Sequence, residues 1–408
     1  MNPGRSFGLS TAWFAVALLW PVALLNYMDR QMLAAMKSSL MADIPDIALD
    51  ARWGLVLGLF KWTYAFLSPV GGFIADRFDR RYTICASLCV WSAVTWATGH
   101  VTTYPELLAA RALMGISEAF YIPAALALIA NYHTGGTRSR AVGVHQMAIY
   151  CGVIIGGFSG YAADEPSLGW RFAFDAAGIV GILYSLPLFM LLRNPPKPAD
   201  SEPVNVQLVP TFRELLSNWS FILLVLYFTL PALAGWVVRD WMPSILKDKF
   251  NIGQGLAGVS ATLYVNIAAL IGAIVGGYGA DRLMRRTIRG RIHVSAMGML
   301  CLVPALFGVG NASSLLIAIA FLALFGLGWG IFDCNNMPIL SQIVRPEYRA
   351  TGYGLMNLVS ISCGGLADWG FGLLRDQAIP LNVIFGVFSS SAILSIVLVL
   401  MIRPRKID

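Results

Sequence analysis

The chain has 408 residues, of which 57% are hydrophobic and only 12% charged, with a mean hydropathy of +0.67. A soluble domain usually carries about 25% charged residues, so an ordinary water-soluble fold is excluded. The net charge of +7 would suit nucleic acid, but the cations sit in short clusters between apolar segments, so the basicity belongs to loops and no nucleic-acid partner is expected.

The first apolar run follows a single cation, Arg5, and shows no cleavage site, so it reads as a retained helix. Helices are expected near 12–36, 53–75, 82–103, 106–130, 140–162 and 169–192. The stretch 193–218 is rich in proline and charge and cannot sit in lipid. A second set is expected near 219–246, 256–280, 292–310, 314–342, 350–373 and 381–402. These runs are apolar throughout and close to the ~20 residues that span a bilayer as a helix. Strands of a barrel would alternate with period two. The expected fold is an all-α membrane protein of twelve transmembrane helices in two six-helix bundles. The N-terminal bundle is 1–192, the linker 193–218 is cytoplasmic, and the C-terminal bundle is 219–408.

With both termini and the linker inside, about 19 of the 29 lysines and arginines face the cytoplasm, a strong positive-inside bias. A multi-pass protein of a cell membrane, the inner one in a bacterium, is the expectation. The six cysteines all lie in apolar runs with no CxxC or zinc-ligand spacing and read as small buried hydrophobes. No cofactor or metal is expected. No P-loop or nucleophile–base motif is apparent, so the chain is not expected to be an enzyme.

Two stretches repeat. GGFIADRFDRR (71–81) is echoed by GGYGADRLMRR (276–286), and RSRAVG (138–143) by EYRATG (347–352). Parallel repeats about an axis along the membrane normal imply a transporter with its path between the halves. Asp76 with Arg80 and Arg81, and Asp281 with Arg285 and Arg286, are candidate cytoplasmic gating latches, in which the acid can face a helix N-terminus or an arginine of a neighbouring helix. The plainer alternative is a basic loop that only sets topology.

A charge inside the membrane is costly and marks a pathway or coupling site. In LLNYMDRQML, Asp29 and Arg30 lie roughly 9 Å outward of the first helix's centre at 1.5 Å per residue. In RALMGISEAFYIP, Arg111 and Glu118 are seven apart on the fourth helix, hence on one face. Two arginines suit capture of a carboxylate or phosphate. Two acids in a dry cavity can take up protons. Asp29 and Glu118 are therefore the candidate proton-coupling pair, and Tyr27, Arg30 and Arg111 candidate substrate contacts. The alternative is a set of salt bridges pinning two helices.

Lys61 and Tyr64, in GLFKWTYAF, are further candidate contacts, with a snorkelling lysine as the alternative. The paired amides Asn335 and Asn336, beside Asp333 and Pro338, can bond substrate hydroxyls or act as interhelical glue. Tyr264, Asn266, Asn357 and Ser360 are weaker candidates. Gln146, with His145, is placed on the path from the inner side. Arg239 and Asp240 read as an outer gate or as interfacial solvation.

GGFIADRFDRR resembles the loop signature of the major facilitator superfamily: glycine, three residues, Asp-Arg, a pair, and two basic residues. NYMDR (26–30), RALMGISEAFYIP (111–123) and GWRFAF (169–174) resemble its anion:cation symporter branch, which includes sialin and the bacterial sugar-acid symporters. That resemblance implies proton coupling at Asp29 and Glu118, and coupling or anion binding at Arg30 and Arg111. It further implies uptake of a small organic anion (a sugar acid, hexuronate or related carboxylate) with protons, by alternating access of a monomer. The Spinster branch of lipid and lysolipid transporters shares NYMDR-like and GISEA-like stretches, so export of a lipid or amphiphile is the alternative. A transporter-like receptor is a more remote one.

Overall fold

A computed structural model describes residues 9–77, 79–133, 137–194 and 208–404. Among the described residues there are fifteen α-helices and no strand. In chain order they are α1 (Leu9–Ala35), α2 (Lys37–Asp43), α3 (Asp50–Arg77), α4 (Arg80–Thr98), α5 (Tyr104–Glu118), α6 (Tyr121–Tyr132), α7 (Arg138–Asp164) and α8 (Gly169–Leu191). Then come α9 (Leu208–Ser217), α10 (Trp219–Phe250), α11 (Gln254–Met284), α12 (Gly290–Asn311), α13 (Leu315–Ile343), α14 (Arg349–Asp376) and α15 (Leu381–Met401). Nine segments among the described residues are long and apolar enough to cross a bilayer, α5 and α6 counting as one. Helices α3, α4 and α14, of 28, 19 and 28 residues, occupy the other places where spans are expected.

Three local features depart from the expected elements. The fourth span, read as continuous, is broken at Ala119–Phe120 into α5 and α6. Pro123 supplies the reason: it has no N–H to give to the carbonyl of Ala119, and its ring crowds that carbonyl. Short helix α2 follows α1 after a one-residue interruption at Met36. The last ten residues before the N-cap of α10 are helical (α9), burying Thr211 and Leu215 and tied by Glu214 to Arg345 at 3.0 Å.

Contacts divide the chain into two compact units. The first comprises Met1–Ala48, Leu59–Glu202 and Ile252–Gly258, the second Leu49–Gly58, Pro203–Asn251 and Val259–Asp408. In the first, α1 packs along α7 and α4 along α8. The α1–α7 approach depends on small residues: a Cβ at Gly152 would lie 2.3 Å from the Leu24 carbonyl oxygen. Close backbone approach of this kind is how helices associate when lipid offers no hydrophobic drive. In the second unit, α12 packs on α13 and α15, and α10 on α14 and α15.

Helix starts are fastened by side chains. Thr103 and Glu106 form a reciprocal capping box at α5. The first turn of α3 belongs to the second unit, where Asp376, at the end of α14, accepts from the backbone N–H groups of Asp50 (2.8 Å) and Ala51 (2.9 Å). The first turn of α11 belongs to the first unit, where Asp164, at the end of α7, accepts from Gly255 N–H (2.8 Å) and the Gln254 amide (3.2 Å). A carboxylate at a helix N-terminus satisfies orphan donors and meets the positive end of the dipole. The two helices opened by the RSRAVG and EYRATG echoes thus end in the same device.

GWRFAF also has a structural job. Trp170 Nε1 and Arg171 both donate to Asp43 Oδ2 at 3.0 Å, and Arg171 donates to the carbonyls of Gly99 and Val101. The start of α8 is thereby braced to α2 and to the α4–α5 turn.

Candidate substrate and proton site

The four interior charges of the first half come together in one unit. Arg30 Nε donates to Glu118 Oε2 at 2.6 Å, with Glu118 fully buried and the Arg30 side chain 13% exposed. Asp29 and Arg111 are buried too, at 1% and 2%, and Asp29 lies within electrostatic reach of Glu118, Arg111 and Arg30. Asn26, one turn before Arg30 and fully buried, neighbours Glu118.

Glu118 is the last residue of α5, immediately before the break. Broken helices at membrane depth are tolerated where they are packed in protein or line a cavity, and transporter sites use them. The α5 face is pressed against α3 at Gly115, where a Cβ would lie 2.0 Å from Thr63 Oγ1 and 2.5 Å from the Phe60 carbonyl oxygen. Gly115→Ala is therefore expected to push α5 away from α3. Overpacking of this kind costs about 1–3 kcal/mol. The shift moves Arg111 and Glu118 together, so transport falls without a change of charge; uptake assays and melting of the purified variant check both effects.

Aromatic rings enclose the guanidinium groups. Arg30 Cζ lies 4.7 Å from the centroid of Tyr27, 4.9 Å from Phe60 and 4.8 Å from Tyr64. Arg111 Cζ lies 4.8 Å from the Phe60 centroid. Phe60 and Tyr64, one turn apart on α3, stack at 6.0 Å. Such contacts strengthen when desolvated, to about 2 kcal/mol.

Asp29 faces a different neighbour. Thr95 Oγ1 of α4 stands 2.9 Å from Asp29 Oδ2 and 3.0 Å from the Trp91 carbonyl oxygen. A hydroxyl has one proton and two lone pairs. Thr95 can donate to ionised Asp29, or donate to Trp91 and accept from protonated Asp29, so either state has a partner.

The remaining candidates are placed as follows. Tyr27 is half-buried and Tyr64 buried, both on Arg30; Lys61 is buried, 2% exposed, on α3. Gln146 is half-buried on α7. His145 beside it is packed, its Nε2 2.9 Å from Tyr121 OH, so it is a core contact of Tyr121. In the second unit, Asn335 and Asn336 are buried on α13. Asn335 Nδ2 donates to the Ile331 carbonyl of its own helix at 3.0 Å, whereas Asn336 neighbours Asp333, which also lies within reach of Arg239. Tyr264 is exposed on α11 and Asn357 half-buried on α14.

In the second loop latch the acid faces an arginine of the neighbouring helix. Asp281 bonds Arg291 at 2.9 Å, and Arg285 and Arg286 are exposed. Arg291 is the second residue of α12, whereas Arg285 and Arg286 follow the end of α11 at Met284. Arg81 donates to the Phe189 carbonyl near the end of α8 and stacks on its ring at 4.7 Å. Arg80 is half-buried, and the Asp76 side chain lies outside the described residues. Sequence reasoning missed Phe60, Thr95, Asn26 and Gly115. Asn26 and Gly115 lie within the NYMDR and RALMGISEAFYIP stretches, whereas Phe60 and Thr95 carry no signal of their own.

Residues 19–367 match the family model described as Major Facilitator Superfamily. The chain is 30% identical over 393 residues to Protein spinster homolog 1 of Bos taurus, covering 87% of this chain and 72% of that protein. It is 29% identical over 413 residues to the Homo sapiens homologue, covering 92% and 74%. Among solved structures it is similar to a bacterial homologue of the human lysosomal transporter Spinster in an inward-facing, occupied conformation (TM-score 0.75, 20% identity, 96% of this chain and 95% of that one). It is also similar to a D-xylose-proton symporter (TM-score 0.80, 17% identity, 98% and 99%). The shared fold, the family match and the membrane-length helices agree: this chain is a multi-pass membrane transporter that belongs to the Major Facilitator Superfamily.

Proposed function

We propose that the protein is a proton-coupled secondary transporter of an organic anion, working by alternating access of its two six-helix halves (1–192 and 219–408), with both termini cytoplasmic in a cell membrane. The observation that carries the reading is the buried Arg30–Glu118 pair at 2.6 Å. Ionised Glu118 competes with a substrate anion for the same guanidinium. A proton on Glu118 removes that competitor, so proton and anion favour each other's binding, and by linkage the preference is reciprocal. Co-binding of this kind gives symport. Arg111 adds a second cation, and Asp29 a second carboxylate whose two protonation states Thr95 can serve. Asn335, Asn336, Asn357, Tyr264 and Gln146 are proposed to contact the polar body of the substrate. Asp76, Arg80, Arg81, Asp281, Arg285 and Arg286 are proposed to act at the cytoplasmic gate. The protein works as a monomer without a cofactor.

Candidate anions are sugar acids such as a hexuronate. A second reading, an anionic amphiphile or lysolipid, is favoured by the three rings around Arg30 and by the Spinster relatives. Proteoliposomes holding the protein, given an inward proton gradient and a panel of D-glucuronate, sialic acid and a lysophospholipid, test both. Protonophore-sensitive uptake of an anion is expected; its chemical class decides between the readings. Uptake of panel compounds that ignores the gradient overturns the coupling.

A further inference from the structure

Arg30 engages one oxygen of Glu118 and leaves the other over. Glu118 Oε2 takes the 2.6 Å bond from Arg30 Nε, while Oε1 is buried and closes no well-aligned hydrogen bond among the described residues. Asn26 stands one turn before Arg30 on α1, hence on the same face. It is fully buried and neighbours Glu118. Its Oδ1 and Nδ2 likewise close no well-aligned bond among the described residues. Buried polar atoms are nearly all satisfied, so leftover atoms on two adjacent side chains point to a shared role.

The chemistry of the amide fits both states of the acid. An asparagine carries a carbonyl acceptor and N–H donors, and its terminal torsion is soft. Turned one way, Asn26 donates to ionised Glu118; turned the other, it accepts from the protonated acid. A hydrogen bond to an ionised group is roughly twice as strong as a neutral one, so the amide favours the charged carboxylate. The charged and titratable groups around this acid are Asp29 and Arg30 on α1, with Tyr27 beside Arg30, Arg111 on α5 and Tyr64 on α3. From α4 Thr95 meets Asp29, and from α7 His145 meets Tyr121. Asn26 adds to this set a neutral group that can both give and take a hydrogen bond.

We propose that Asn26 is a positioning residue for the proton step: its amide meets the second oxygen of Glu118, donating to the carboxylate and accepting from the acid. The carboxylate is thereby held on Arg30 until a proton arrives, which keeps a substrate anion from displacing it early. This rests on the transport reading above. Asn26 then does for Glu118 what Thr95 does for Asp29, and each acid has its own two-way partner.

Infrared difference spectra of the full chain in lipid, recorded from acid to alkaline pH, follow the carboxylic-acid C=O stretch directly. The band that vanishes in Glu118→Gln belongs to Glu118. Asn26→Leu removes donor and acceptor at similar volume, and Asn26→Ala does so with less bulk. In both, the pH at which half the band is lost is expected to rise by about one unit, which corresponds to about tenfold between losing a charged and a neutral bond. The band also moves to higher frequency as the acid loses its partner. D-glucuronate affinity at alkaline pH then rises by about tenfold, since an acid that keeps its proton no longer competes for Arg30. A purely structural Asn26 lowers the melting temperature of the variants and leaves midpoint and frequency where they were; that result, in either variant that folds, overturns the proposal. A Glu118 band with no pH dependence in the unsubstituted protein overturns it together with the transport reading. A shifted midpoint in a protein that binds neither D-glucuronate nor a lysophospholipid leaves Asn26 in its role and defeats the transport reading alone.

Discussion

Glu118→Gln is expected to abolish uphill accumulation of the substrate and to spare exchange. Gln keeps the shape and a hydrogen-bonding oxygen for Arg30 but can neither ionise nor carry a proton. Without a titrating competitor for the guanidinium, the imposed proton gradient has nothing to act on at this site. Accumulation in proteoliposomes then relaxes to a ratio of about one, because a gradient can drive only what is thermodynamically linked to it. Counterflow, which needs only loaded states to reorient, continues. Anion affinity in the variant loses its dependence on pH. At alkaline pH it exceeds the unsubstituted protein's by about tenfold or more, which corresponds to about 1.4 kcal/mol of relieved competition. Preserved accumulation would remove Glu118 from the coupling.

Arg30→Ala destabilises the protein more than Arg30→Ala combined with Glu118→Gln. Removing one partner of a buried ion pair leaves the other charge unmatched, at a cost of about 3–5 kcal/mol. Neutralising both removes the penalty along with the attraction. The double variant should recover most of the lost melting temperature yet bind no anion, because the guanidinium is absent. A double-mutant cycle on melting and on substrate affinity reads the two effects separately. If the double variant melts no higher than Arg30→Ala, the pair is not a matched charge couple, and the loss belongs to the packing of Arg30 among Tyr27, Phe60 and Tyr64.

The charges were legible in the sequence because a charge in an apolar run has no cheap explanation. Asp29, Arg30, Arg111 and Glu118 stood out on that ground, and the seven-residue spacing of Arg111 and Glu118 put that pair on one helix face. The spans were legible for the complementary reason, since long apolar segments separated by short basic loops admit few other folds. What the sequence hid is what lies among residues of ordinary type. Phe60 is one aromatic in a helix full of them, and nothing in the string says that two arginines lean on it. Thr95 sits in an apolar stretch of α4, where hydroxyls usually bond their own helix, as Thr98 does with Val94. The break after Glu118 follows from Pro123, yet proline in membrane helices often leaves the helix whole.

Two motifs have structural partners that their sequence did not disclose. GWRFAF counted toward a branch that handles hydrophilic anions, but Trp170 and Arg171 spend their donors on Asp43 and on two backbone carbonyls. It is a brace, and it says little about substrate. In the duplicated Asp-Arg loop, Asp281 meets Arg291 on the next helix, one of the partners open to a latch acid. Local sequence fixes which charges a loop carries; the approach of a neighbouring helix decides which of them pair. The NYMDR and GISEA stretches, shared by two branches, hold the Arg30–Glu118 pair, and the relatives found carry the Spinster name.

The proposed exchange of Glu118 for a substrate anion at Arg30 is tested most directly by the protons that binding takes up. Calorimetric titration of the purified protein with a bound anion, repeated near neutral pH in buffers of different ionisation enthalpy, gives that number. Uptake of about one proton per anion, falling to about zero in Glu118→Gln, is the predicted result. An anion that binds with no proton uptake in the unsubstituted protein, or with the same uptake in the variant, would contradict the account.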